Sequence, residues 1–164
     1  MTNPYCETYQ IQFAFLFKET SRLLDMARSL SDEEYRAETS YSHESIHATF
    51  AHLLGASQLW RQVVVNREPI FSSSEETADH NALTTLFRTE QEEWNNLIAS
   101  LSDADLHTSI VRQSPFGTVT LSIWQTLQHV VLHGITHLAE IAQRLSAAGH
   151  SPGDIDFLFY QPTP

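Results

Sequence analysis

Leu121-Ser-Ile-Trp-Gln-Thr-Leu-Gln-His129-Val-Val-Leu-His133-Gly-Ile-Thr-His137-Leu-Ala-Glu140-Ile-Ala-Gln-Arg-Leu-Ser-Ala-Ala148 carries a row Thr126, Val130, His133, His137 and Ile141 at spacings of three and four. That period places the row on one face of a helix, read as running from about Leu121 to Ala148. Gly149 is a natural residue just past a helix end, and Pro152 beyond it blocks continuation. The stripe needs other helices to cover it. Upstream, Tyr9, Phe13, Leu16, Thr20, Leu23, Ala27 and Leu30 alternate spacings of four and three, a long amphipathic helix over about 5–30.

Ser31-Asp32-Glu33-Glu34 reads as a cap followed by a short acidic turn, and Ser42 or Ser45 as the start of a second helix that runs to about Asn66. Pro69 and Ser72-Ser73-Ser74-Glu75-Glu76 form a loop too long for a tight hairpin. A third helix, about Thr77 to Leu101, carries Leu83, Phe87, Trp94, Leu97 and Leu101 on one side. Thr108-Ser-Ile-Val-Arg and Gly117-Thr-Val-Thr flank Ser114-Pro115-Phe116 as a small extended excursion or hairpin before the last helix. Four long helices with apolar stripes imply an all-α, four-helix bundle.

The 164 residues and 41% hydrophobic content suit one domain with its own core, so residues 1–164 are read as a single unit. A formal charge of -11 argues against nucleic-acid phosphate or an anionic membrane as partner. Cys6 is the only cysteine, which excludes an intrachain disulfide and makes a reducing, cytoplasmic setting the expectation. No basic and apolar leader precedes the first helix, and no apolar run is long enough to span a bilayer. Nothing resembles a Gly-rich phosphate loop, a Ser-His-Asp order or a G-x-S-x-G elbow.

Chemistry concentrates on histidine. His133 and His137, four apart, project from one helix face and can close on one ion if a third ligand arrives from another helix. His52 is the candidate, since it lies in the inward row Ala48, His52, Ala56, Leu59 and Val63. A lone histidine on an apolar face is more often a hydrogen-bonded core residue. Three in phase reverse that preference, because buried imidazoles need partners and one cation serves all three. Gly134 stands where H-E-x-x-H requires glutamate, which disfavours a zincin-type protease.

The other candidates carry less weight. His129 continues the stripe, but three successive turns of a straight helix cannot converge on one ion, so it reads as core or as a neighbour of the ligands. His43 and His47 sit beside Ser42, Glu44 and Ser45 and read as a solvated helix start. His80, His107 and His150 lie in or beside loops and read as surface. Glu140 shares the face of His133 and His137, where it could orient a ligand, act as the catalytic base, or merely pair with Arg144. Glu90 is a weaker candidate for contact with a ligand. Cys6 has no basic neighbour in sequence to activate it.

Ala51-His52-Leu53-Leu54, the run Gln128 to Ile141 and the tail Gly149-His-Ser-Pro-Gly-Asp-Ile-Asp-Phe157 together resemble the DinB/YfiT-like metalloprotein family over nearly the whole chain. The chain departs at Leu138-Ala139-Glu140, where Arg-Gly-Gln is common in the family. The resemblance implies an up-up-down-down type bundle, a divalent metal held by His52, His133 and His137, and a homodimer. Phe15 and Phe17, outside the main seam of the first helix, are two rings in need of cover and fit that assembly.

Three imidazoles leave at least one coordination position open, as catalytic sites do. The related superfamily includes transferases and isomerases that use low-molecular-weight thiols, so a metal-dependent, thiol-dependent transferase acting on a small molecule is the leading expectation. The alternatives are a metal-dependent hydrolase using bound hydroxide, with Glu140 as base, and a non-catalytic, stress-related metal- or ligand-binding module. Zinc and nickel lead among the metals, although iron and manganese also accept nitrogen ligands.

Overall fold

The computed structural model describes residues 4–40, 43, 45–67, 70–114 and 117–162. Helix α1 spans Pro4–Ala27 and ends a turn before the periodicity predicts, because Arg28, Ser29 and Leu30 close three-residue turns onto Asp25, Met26 and Ala27. The acidic turn is a helix in its own right, α2 (Asp32–Arg36), started by a capping box between Ser31 and Glu34. Ser45 caps α3 (Ile46–Val64) by accepting from the Ala48 amide. Ser42, the alternative start, and its neighbour Glu44 lie outside the described residues, as do Pro69, Pro115 and Phe116.

The polar run read as loop contains a further helix, α4 (Ser74–Ala78), set by a second capping box between Ser73 and Glu76. Asp79 then caps α5 (His80–Ser100) through the Ala82 amide. After a 3-10 turn at Asp105–His107, the extended excursion is an antiparallel hairpin of β1 (Ser109–Ser114) and β2 (Gly117–Ser122), with Ile110 opposite Leu121. The strand takes Leu121 and Ser122, so α6 is Ile123–Ala147, with Ser122 and Gln125 forming its capping box. Gly149 follows at φ 87°, a conformation open to glycine.

α1 packs on α5 and α6, and α3 packs on the same two, so α1 and α3 lie across the bundle from each other. Contacts at both ends set the directions. The Tyr9 hydroxyl donates to Trp124 O, and Ser29 Oγ lies 3.1 Å from His150 Nδ1, so α1 and α6 run parallel. Cys6 Sγ meets Leu101 O while Arg28 meets Asn81, so α5 is antiparallel to α1. α3 runs parallel to α5, from the Phe50–Phe87 contact to the Arg61–Glu93 pair. Read around the bundle as α6, α1, α5, α3 this is up-up-down-down, while along the chain the order is up, down, down, up.

Phe13, Leu23, Phe50, Leu54, Leu83, Trp94, Leu127 and Ile141 fill the centre between the four long helices. Gly134 explains how closely α1 and α6 approach: a Cβ there would stand 2.5 Å from Leu16 Cδ1. Any larger residue there would force the Leu16 side chain to move. Phe15 and Phe17 are both covered within the chain. Phe157 and Tyr160 from the C-terminal segment pack on Phe15 at 5.2 and 5.5 Å between ring centroids, and Phe17 lies in the core beside Phe13. Those two rings therefore do not call for a second subunit. No helix among the described residues is long and apolar enough to cross a membrane.

Candidate metal centre

α6 is unbroken α-helix across its middle, so His133 and His137 lie one turn apart with their Nε2 atoms 3.1 Å from each other. From the antiparallel α3, His52 brings its Nε2 to 3.2 Å from His133 Nε2. The structure thus joins the three histidines read from helix phase. His137 is buried, while His52 and His133 are half-buried.

His137 Nδ1 lies 2.8 Å from Glu140 Oε2, so the ring donates from Nδ1 and its neutral form keeps the Nε2 lone pair facing the other imidazoles. A carboxylate that fixes the tautomer of a ligating histidine is a recurrent feature of metal sites. Three Nε2 atoms meeting in this way cannot all be served by hydrogen bonds, since one proton on His133 satisfies one of its two close contacts. A cation satisfies every lone pair. Two imidazole nitrogens bound tetrahedrally at roughly 2.0–2.1 Å lie about 3.3 Å apart, close to the spacings found. The residues fit a divalent metal.

The electrostatics agree. Burial, then the neighbouring imidazoles, push His52 and His133 down to about 4, so both are neutral with lone pairs available at physiological pH. On its core side His133 borders a cavity of about 10 Å³, the size of one water, walled by residues including Leu16, Leu53, Trp60, Phe87 and Val130.

A fourth imidazole joins the group. His43, read as part of a solvated turn, is half-buried and stacks on His52 with ring centroids 3.6 Å apart and planes 17° apart, and it lies 5.0 Å from the His137 ring. Potential ligand atoms of His43, His52 and His137 fall within 4.8 Å of one another. His43 precedes the cap of α3, so no helical period points to it. The one sequence signal is its spacing of four from His47. His47 itself goes elsewhere: its Nε2 donates to Thr77 O, and its ring meets Tyr35.

The remaining candidates separate from the site. His129 is exposed, not core: it packs edge-on against Trp60 at 4.8 Å, and its ring centroid lies 5.5 Å from that of His133. His80 is half-buried beside Tyr35, not on the surface, whereas His107 is exposed and His150 meets Ser29. Glu90 is bound by the Arg61 guanidinium and by Ser57, not by a histidine. Cys6 lies ten residues before Leu16, about 15 Å along α1 from the turn that faces Gly134.

No curated protein matches the chain. The model of the DinB family matches residues 7–163. The match runs over nearly the full length of a bundle in which His43, His52 and His137 form a cluster able to coordinate a divalent metal, and the chain belongs to the DinB family.

Proposed function

We propose that His52, His133 and His137 hold one divalent metal, zinc or nickel, and that the protein is a metal-dependent enzyme transferring a low-molecular-weight thiol to or from a small substrate. The observation that carries the metal is the approach of His52 Nε2 and His137 Nε2 to His133 Nε2, at 3.2 and 3.1 Å, which hydrogen bonding alone leaves unsatisfied. Bound there, the ion supplies a Lewis-acid centre that lowers the pKa of a thiol or polarises a substrate oxygen. His52 and His133 bind through neutral rings, and Glu140 is a positioning residue that holds the His137 tautomer.

The position of Glu140 favours thiol transfer over hydrolysis. Its Oε2 is engaged by His137, and Glu90 is tied to Arg61, so neither carboxylate is poised as an uncommitted base. A thiol ionises near 8.5 even without help and needs no protein base beside a metal. Glu140 as general base for a hydrolase stays as the second reading, tested by Glu140→Gln with metal content held constant. A homodimer and a cytoplasmic setting, both expectations from the sequence, complete the proposal. A light-scattering mass of one 18.6 kDa chain at micromolar concentration overturns the dimer.

The deciding experiment is metal analysis of protein purified without a polyhistidine tag, with His52→Ala, His133→Ala and His137→Ala beside it. Near-stoichiometric metal in the parent and loss in each variant is expected. Full occupancy in His52→Ala removes His52 from the ligand set. A screen of low-molecular-weight thiols with electrophiles, run against esters and amides, then separates transferase from hydrolase. Turnover of neither by metal-loaded protein favours a binding module.

A further inference from the structure

We propose that His43 is an exchangeable fourth ligand: its imidazole swings from its stack on His52 onto the metal's open position in the resting state and is displaced when a ligand enters. The inference rests on the metal reading above.

In the stacked arrangement His43 cannot bind the ion that His52 binds. An imidazole coordinates through a lone pair in its ring plane, and the two planes are nearly parallel, with centroids 3.6 Å apart. An ion in the plane of His52 therefore lies well out of the plane of His43. A rotation of the side chain removes the obstacle, and His43 alone of the four is carried outside a long helix. His52, His133 and His137 are fixed on long helices, whereas His43 precedes the α3 cap, where its carbonyl accepts from the Ser45 amide at 2.7 Å. The distance to cover is small, since a nitrogen of His43 is already within 4.8 Å of ligand atoms on His52 and His137.

Three helix-borne imidazoles leave a tetrahedral ion one ligand short, and a fourth neutral imidazole completes it.

The test uses full-length protein loaded with Co²⁺ and measures the d–d absorption, which reports coordination number, together with Zn²⁺ affinity by chelator competition. His43→Ala is expected to change the Co²⁺ spectrum toward a site with solvent in place of nitrogen and to weaken Zn²⁺ binding by about tenfold or more, the scale on which even residues supporting a ligand act. Added free imidazole should restore the parent spectrum in His43→Ala. A small thiol added to the parent should produce the thiolate-to-cobalt band while leaving His43→Ala with a tighter apparent thiol affinity, because no side chain competes. Parent-like spectrum and affinity in His43→Ala, with His52→Ala and His137→Ala metal-free, overturn the fourth ligand alone. Metal retained in His52→Ala and His137→Ala overturns the reading beneath it.

Discussion

Glu90→Ala tests whether the buried carboxylate of α5 serves the fold or the metal. The Glu90 side chain is 2% exposed, accepts from Arg61 Nε at 3.0 Å and Nη2 at 2.8 Å, and accepts from Ser57 Oγ at 3.2 Å. Ser57 Oγ in turn accepts from Trp94 Nε1 at 2.8 Å, which ties the pair to the centre of the core. Deleting one partner of a buried ion pair costs roughly 3–5 kcal/mol, because the other charge is stranded. Arg61 keeps 16% exposure and a 3.3 Å contact with Glu93, which places the loss at the lower end, about 3 kcal/mol. For a domain of this size that lowers the unfolding midpoint by about 6–12 °C. Urea unfolding and calorimetry of metal-free protein measure the loss. Replacing both partners, Glu90→Met with Arg61→Met, should recover stability to within about 1 kcal/mol of the parent, since no charge is left alone. A Glu90→Ala protein within about 1 kcal/mol of the parent refutes the energetic reasoning, and one that is equally stable but metal-free would return Glu90 to the site.

Three further outcomes are expected. Glu140→Gln should retain the metal but bind it about 10–100-fold more weakly by chelator competition, as loss of a carboxylate behind a ligating histidine does elsewhere, and unchanged affinity would deny it the positioning role. Tyr35→Phe should leave stability unchanged or raise it by about 1 kcal/mol in urea unfolding, because the buried Tyr35 hydroxyl has no hydrogen-bond partner among the described residues; a clear loss would mean that the hydroxyl is satisfied. Metal-free protein should lose stability as pH falls from about 6.5 toward 4. His52 and His133 are pushed down to about 4 in the fold, so across that window the unfolded chain binds more protons, and unfolding free energy rises with pH. An identical pH slope between 7 and 5 in His52→Leu would count against this account.

The four long helices, the Ser31 and Ser45 caps and the inward phase of His52, His133 and His137 were legible in the chain because each depends on neighbours within a few residues. The α-helical period alone puts His133 above His137 and aims His52 inward, and the S-x-x-E spacing of Ser73 and Glu76 was enough to start α4, although the polar composition around it reads as loop. Strand alternation was too short to settle the hairpin, which took Leu121 and Ser122 from the expected start of α6. Tertiary structure decided the rest. Which helices touch, and in which direction, follows from how the connections cross the ends of the bundle, and only that arrangement sets His52 Nε2 at 3.2 Å from His133. It also brought His43 from outside any helix onto His52, drew Glu140 to the Nδ1 of His137, gave Glu90 to Arg61, and folded Phe157 and Tyr160 over Phe15. The physical reason is the range of the forces involved: backbone hydrogen bonding and apolar period are local and repeat along the chain, whereas a side chain's partner is chosen among groups that only packing makes neighbours.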